Sequence, residues 1–339
     1  MRGACVSTAR RCRVRAIRGG GGHVDAHCRN ADVAEASIKP VVAGALAASL
    51  LLAFPSRAQE IEPRQFSNAP VGVNFLIAGY AYASGGLAID PAIPLTDPSL
   101  RTSNAALAYV RALDIFGMSG KIDAVVPYTW LSGSALYKGE PVDRIVNGLG
   151  DPAFRLSVNF YGAPALTLPE LAQWKQDLVL GASLRVFVPL GQYDDTRVIN
   201  IGANRWSFKP EVGGSKAIGS WTFEASGAAQ FYTVNDDFYH GHRRTQDPVY
   251  SLQAHVIHNF DSGWWAAFDA TYYWGGQAYV DGEASGEKLG NWRYGLTLTA
   301  PIDRHNSIKL YGSNGVSSRT GANYTLAGAA WQYRWGGGL

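Results

Sequence analysis

From Trp221 to Val234 the chain alternates. Trp221, Phe223, Ala225, Gly227, Ala229 and Phe231 share one parity; Thr222, Glu224, Ser226, Gln230 and Tyr232 share the other. Side chains of period two describe a strand with one apolar and one polar face. The pattern recurs. Leu178, Leu180, Ala182, Leu184, Val186 and Val188 oppose Ser183 and Arg185, and Phe154, Leu156, Val158 and Phe160 oppose Arg155, Ser157 and Asn159. Trp292, Tyr294, Leu296, Leu298 and Ala300 oppose Arg293, Thr297 and Thr299. About 12 such runs are predicted, near 71–83, 102–115, 120–131, 151–162, 178–190, 204–216, 221–234, 249–260, 264–274, 291–302, 307–313 and 322–335. Each approximates the roughly 9 to 11 residues of a tilted membrane-crossing strand. Connections are long at 84–101, 132–150, 191–203, 235–248, 275–290 and 314–321, and short at 116–119, 217–220, 261–263 and 303–306. That alternation predicts an all-β, antiparallel transmembrane barrel of the bacterial outer membrane with both termini in the periplasm. The exception is 163–177, a longer inner connection in which Pro169 to Trp174 has room for a turn or two of helix.

The cost of charge in lipid assigns the faces. Arg or Lys at mid-bilayer costs about 2 to 4 kcal/mol, so the polar parity must face the lumen. The lumen-lining set is then Asp123, Arg155, Arg185, Lys209, Glu211, Glu224, Gln230, Gln253, His255, Asp269, Arg293, Lys309 and Arg334. The opposite face carries Tyr128, Trp130, Trp206, Trp221, Trp264, Tyr272, Trp292, Trp331 and Trp335, many at strand ends, as interfacial aromatic girdles require. A soluble β-sandwich would alternate similarly but would rarely place so many aromatics at strand ends. Closure also removes the exposed edges a sheet this large would otherwise carry.

Composition breaks near residue 58. Residues 1–58 hold nine Arg or Lys, three acidic residues, all three Cys and a single aromatic, Phe54; beyond them come 21 basic and 24 acidic residues and no Cys. Lys39, the apolar run from Val41 to Phe54, and Ser56-Arg57-Ala58 form a secretory signal over 39–58, with cleavage expected after Ala58. The Arg- and Gly-rich prefix 1–38 has no periodic apolar face and is assigned no function. The barrel domain is 59–339. Its near-neutral charge and aromatic content exclude a disordered or nucleic-acid-coating protein. The 14-residue apolar run is too short for a spanning helix.

Pro70-Val71-Gly72-Val73-Asn74, Gly150-Asp151-Pro152-Ala153-Phe154-Arg155 with Val158-Asn159, and Gly162-Ala163-Pro164-Ala165-Leu166 are distinctive blocks. So are Pro189-Leu190-Gly191-Gln192-Tyr193, Asn204-Arg205-Trp206-Ser207-Phe208-Lys209-Pro210-Glu211, Gln246-Asp247-Pro248 and Ala330-Trp331-Gln332-Tyr333-Arg334-Trp335. In this order, over residues 70–338, they resemble the outer-membrane transporter family named for the meta-pathway of phenol degradation. The resemblance implies a barrel for uptake of small aromatic or hydrophobic compounds, and implies no residue roles.

The bore of 12 strands lies between a side-chain-filled eight-stranded barrel and an open channel of 16 or more. The inward charges therefore admit two readings: a weakly anion-preferring constriction, because cations outnumber anions, or an ion-pair network that satisfies buried charge. His240-Gly241-His242 lacks a third ligand at fixed spacing and reads as a solvated loop rather than a metal site. Pro210 removes a ladder donor and predicts a bulge or bend. An enzyme would need an activated nucleophile. Ser251 and His255 share a strand face, but Gly-x-Ser-x-Gly and His-Glu-x-x-His are both missing. The sequence thus predicts a channel or transporter without enzymatic activity, metal or cofactor. Its partners are membrane lipid, a small solute and, during biogenesis, the barrel-assembly machinery, with no nucleic acid. The alternatives are a structural or adhesive barrel without transport and, behind it, a barrel-borne lipid hydrolase.

Overall fold

The computed structural model of the protein describes residues 62–86, 95–286, 288–318 and 324–339. The prefix and the signal segment with its cleavage point lie outside them. The strands are β1 (Val73–Gly85), β2 (Leu95–Ile115), β3 (Met118–Tyr137), β4 (Glu140–Leu149), β5 (Ala153–Tyr161), β6 (Leu178–Phe187), β7 (Ser207–Ile218), β8 (Trp221–Tyr232), β9 (Asn235–Phe238) and β10 (His242–Gln246). They continue with β11 (Val249–Asn259), β12 (Trp265–Gly275), β13 (Ala278–Val280), β14 (Glu283–Ser285), β15 (Leu289–Pro301), β16 (Asn306–Ser318) and β17 (Tyr324–Gly336). Twelve of these pair antiparallel in the ring β1, β2, β3, β5, β6, β7, β8, β11, β12, β15, β16, β17, and β17 closes on β1. The predicted strands match this ring element for element. The expected inner helix is α1 (Leu168–Gln173), begun where the Thr167 N–H and hydroxyl both donate to Glu170, at 2.8 and 2.7 Å.

Three expectations need correction. The segment 132–150 is not an open loop: β3 runs on to Tyr137, turns at Lys138 and Gly139, both at positive φ, and returns as β4. That is the backbone a two-residue hairpin turn needs. This hairpin escaped notice because β4 stands beyond the membrane with both faces partly wet, so it carries no apolar alternation. Segments 235–248 and 275–290 likewise hold strands, β9, β10, β13 and β14, which form a separate four-stranded sheet on the long-loop side. Pro210 produces no bulge. The β7–β8 pairing passes Phe208↔Phe231 and resumes at Glu211↔Ala228 in the same register, so the proline interrupts the ladder without shifting it.

The outer surface is an apolar belt between two aromatic rows. Leu184, Val212, Leu252, Leu296 and Leu310 are exposed on it. Trp130, Trp206 and Trp292 stand toward the long-loop end and Trp221, Trp264 and Trp331 toward the short-turn end, all exposed. With this surface the chain is an outer-membrane barrel, and its short turns are expected to face the periplasm. No cysteine follows Cys28, so single cysteines report this topology. In intact cells an impermeant maleimide should label Glu283→Cys in the outer sheet and not Ser262→Cys in the β11–β12 turn. The opposite result would invert the barrel.

Candidate functional site: the lumen and its N-terminal plug

The inward-facing side chains divide the lumen into two walls. One wall carries an apolar patch on β17, β1, β2 and β3, where Phe75, Ile77, Ala81, Ala108, Val110, Val125 and Ala330 form one buried cluster. Half a turn around the ring the wall is charged. A single cross-strand rung shows both halves, running Phe75↔Val110↔Asp123↔Arg155↔Arg185↔Lys209 from β1 to β7. A second charged rung crosses β8, β11 and β12 as Glu224↔His255↔Asp269. All seven charged or imidazole side chains in these rungs are buried.

Between the rungs lies the segment from Glu62 to Ala69, which enters from the short-turn side and has no periodicity of its own. Its Glu62 carboxylate bridges two arginines: Arg155 Nη1 donates to Oε2, and Arg185 Nη2 donates to Oε1 at 2.6 Å. Arg155 Nε meanwhile donates to Asp123 Oδ2 at 2.7 Å. Arg64 turns the other way. Its backbone N–H donates to Glu224 Oε2 at 2.6 Å, and its guanidinium lies 4.8 Å from the Trp265 ring centroid. The plug thus presents an anion to the basic rung and a cation to the acidic one. Lys121 Nζ donates to the Gln65 carbonyl at 2.9 Å, Gln65 Nε2 to Ser183 Oγ at 3.2 Å, and Asn159 Nδ2 to the Phe66 carbonyl at 3.1 Å. Phe66 is seated on the cross-strand pair Gly181↔Gly213, where an added Cβ would stand 2.7 and 2.6 Å from the ring. The wall carries glycine there because any side chain would displace the ring.

Of the set expected to line the lumen, all but Arg334 are buried. Asp123, Arg155, Arg185, Lys209, Glu211, Glu224, Gln230, Gln253, His255, Asp269, Arg293 and Lys309 are all buried and inward. Gln230 Nε2 donates to Ser207 Oγ at 3.0 Å, and Lys209 Nζ lies 3.9 Å from Glu211. His255 Nδ1 pairs with Asp269 Oδ1 at 2.7 Å, and Thr297 Oγ1 donates to Asp269 Oδ2 at 2.9 Å. Ser251 is four residues from His255 along one strand, about 13 Å by strand rise, so the two side chains do not meet. Arg334 is the departure: it has the inward parity but sits at the periplasmic rim, where Nε donates to the Arg304 carbonyl at 2.8 Å. The residues missed are Glu62, Arg64, Gln65 and Lys121. Lys121 shares the parity of Asp123 and was legible; Glu62 and Arg64 stand in a segment without periodicity.

Near the outer mouth the cations lie on rings. The Arg205 guanidinium carbon is 4.4 Å from the Tyr232 centroid, that of Arg244 is 5.2 Å from Phe238, and that of Arg293 is 3.8 Å from Tyr324. At such distances a ring face attracts a guanidinium and fixes its orientation. Val198 and Ile199 of the 188–206 connection pack there against inward Ala83, Leu100 and Leu131 and narrow the mouth. In the outer sheet His242 Nδ1 pairs with Asp281 Oδ2 at 2.6 Å, and the Arg243 N–H donates to Oδ1 at 2.8 Å. The Arg243 N–H, and after it His242, hold the Asp281 carboxyl below the usual carboxylate range. Among the described residues no group of three or more His, Cys, Asp or Glu side chains is arranged to hold a metal ion.

Residues 92–335 match the family described as "Putative MetA-pathway of phenol degradation". Among solved structures the chain is similar to the COG4313 outer membrane channel from Pseudomonas putida F1. The identity is 18%, the alignment covers 81% of this chain and 100% of that one, and the TM-score is 0.67. It is less similar to the β domain of the Bordetella autotransporter BrkA, with 12% identity, 78% and 100% coverage and a TM-score of 0.46. For the NanC porin the values are 10%, 76% and 98%, and 0.44. At these identities the likeness is one of fold. No curated protein matches the chain in sequence.

Proposed function

Because the chain belongs to the putative MetA-pathway of phenol degradation family, and because its barrel encloses an amphipathic lumen, we propose that it is an outer-membrane channel for small organic carboxylates, aromatic acids among them. The two-walled lumen carries this reading. A basic rung attracts the carboxylate, and the apolar wall of Phe75, Val110 and Val125 accepts the hydrocarbon body. The stacked arginines at the mouth extend the same preference outward. A neutral, fully hydrophobic solute would have to replace the hydration of several buried ions along the charged wall, which disfavours it in this path. The family name points to aromatic metabolism, and acids of that chemistry fit both walls. The Pseudomonas relative of the same fold is described as an outer membrane channel.

With the plug in place the charged rungs are occupied, so conduction requires the Glu62–Ala69 segment to leave them. Planar bilayers and liposome swelling test the reading with sodium benzoate, phenol and glucose. Channels that open should pass benzoate faster than glucose and give a reversal potential on the anion side. Silence toward the whole panel would favour a structural barrel, and cation selectivity would refute the carboxylate preference.

A further inference from the structure

We infer that Arg155 and Arg185 form a carboxylate-binding clamp for the solute, in which Glu62 sits as a tethered competitor. This rests on the channel reading for its biological sense and on four observations for its chemistry. First, the two arginines are direct cross-strand partners, with Lys209 next in the same rung; like charges placed opposite destabilise a sheet unless an anion joins them. Second, the anion that joins them comes from outside the wall. Glu62 belongs to a segment that enters the lumen, and it gives one oxygen to each guanidinium. A free carboxylate can adopt the same two-point geometry, which arginine is suited to recognise. Third, the site is built: Arg155, Arg185 and Glu62 have side-chain exposures of 4%, 5% and 3%, and Asp123 fixes Arg155 through Nε, leaving Nη1 to point at the ligand. Fourth, the rung continues beyond Asp123 into Val110 and Phe75, so an apolar surface adjoins the clamp. The ligand class that fits is a monocarboxylate with an apolar body. Such solutes and the plug exclude one another, so the solute itself favours the open lumen.

Equilibrium dialysis of radiolabelled benzoate against the folded, detergent-solubilised mature chain tests the clamp without requiring conductance. A carboxylate on a short tether competes at an effective concentration in the millimolar range or above. Glu62→Gln should therefore bind benzoate at least about tenfold more tightly than the wild type, while benzamide gains nothing. Glu62→Gln combined with Arg185→Gln should lose that gain. Equal benzoate binding by wild type and Glu62→Gln overturns the inference, as does benzamide bound as tightly as benzoate. If the double variant fails to show the heat-resistant folded form, the wild-type, Glu62→Gln and benzamide comparison still decides. Conductance without tighter benzoate binding would sink the clamp and leave the channel. Binding without conductance would sustain the clamp and sink the channel.

Discussion

Replacing Arg155 with Leu is expected to destabilise the folded barrel by about 3 to 5 kcal/mol, the usual consequence of removing one partner from a buried ion group. Arg155 serves two carboxylates at once, Asp123 on the neighbouring strand and Glu62 in the plug. The substitution leaves both buried, and Glu62 keeps the Arg185 contact named above. The plug should detach first, because the segment from Glu62 to Ala69 has no strand ladder to hold it, and the loss measured by urea unfolding in detergent then reports chiefly Asp123. Two controls separate charge from packing. Adding Asp123→Asn should recover most of the loss, and acidification, which neutralises the stranded carboxylates, should narrow the gap to wild type. A loss below about 1 kcal/mol, the scale of an exposed pair, would mean that water in the lumen solvates these charges and that the rung is not a sealed network.

The period-two alternation made the ring of strands legible because a membrane barrel enforces it on both sides. Lipid rejects charge from one face, and the lumen collects it on the other, so Leu184 and Arg185 could be assigned without any tertiary information. The same logic puts Asp123, His255 and Asp269 on the inner parity, where Asp123 accepts from Arg155 and His255 pairs with Asp269. Where neither solvent imposes a face there is no signal: β4, β9, β10, β13 and β14 lie on the long-loop side and carry no alternation that distinguishes them from loops. The plug was invisible for a different reason. Glu62-Pro63-Arg64-Gln65-Phe66 has no period because it is neither helix nor strand, and its partners are 56 to 160 residues away in sequence. The balance of wall charge held a partial clue, since Arg155, Arg185 and Lys209 outnumber Asp123 in their rung. An unmatched basic row can be filled by solute, by water or by the chain itself, and the sequence does not choose among them. The structure fills it with Glu62, so the ion-pair network includes a member from a segment outside the strand ladder.

Leu184 and Arg185 offer the sharpest test of that arrangement, because a single strand position separates the lipid from the lumen. Leu184 is 46% exposed on the outer belt, between Leu156 and Pro210 of the adjoining strands, whereas Arg185 is 4% exposed and bonded to Glu62. Leu184→Arg should cost about 2 to 4 kcal/mol near the middle of the membrane and reduce the heat-resistant folded form on cold-loaded gels. Arg185→Glu should leave that form largely intact, because the new carboxylate faces Arg155 and Lys209 across the rung. It would also face Glu62, and like charges at that distance repel, so the plug should be expelled. The expected result is a barrel that folds, conducts more often than wild type and shifts toward cation selectivity. Unchanged conductance and selectivity for Arg185→Glu would show that this charge neither holds the plug nor meets the solute. Normal insertion of Leu184→Arg would mean that β6 faces the other way, and the lumen drawn from its parity would have to be turned inside out.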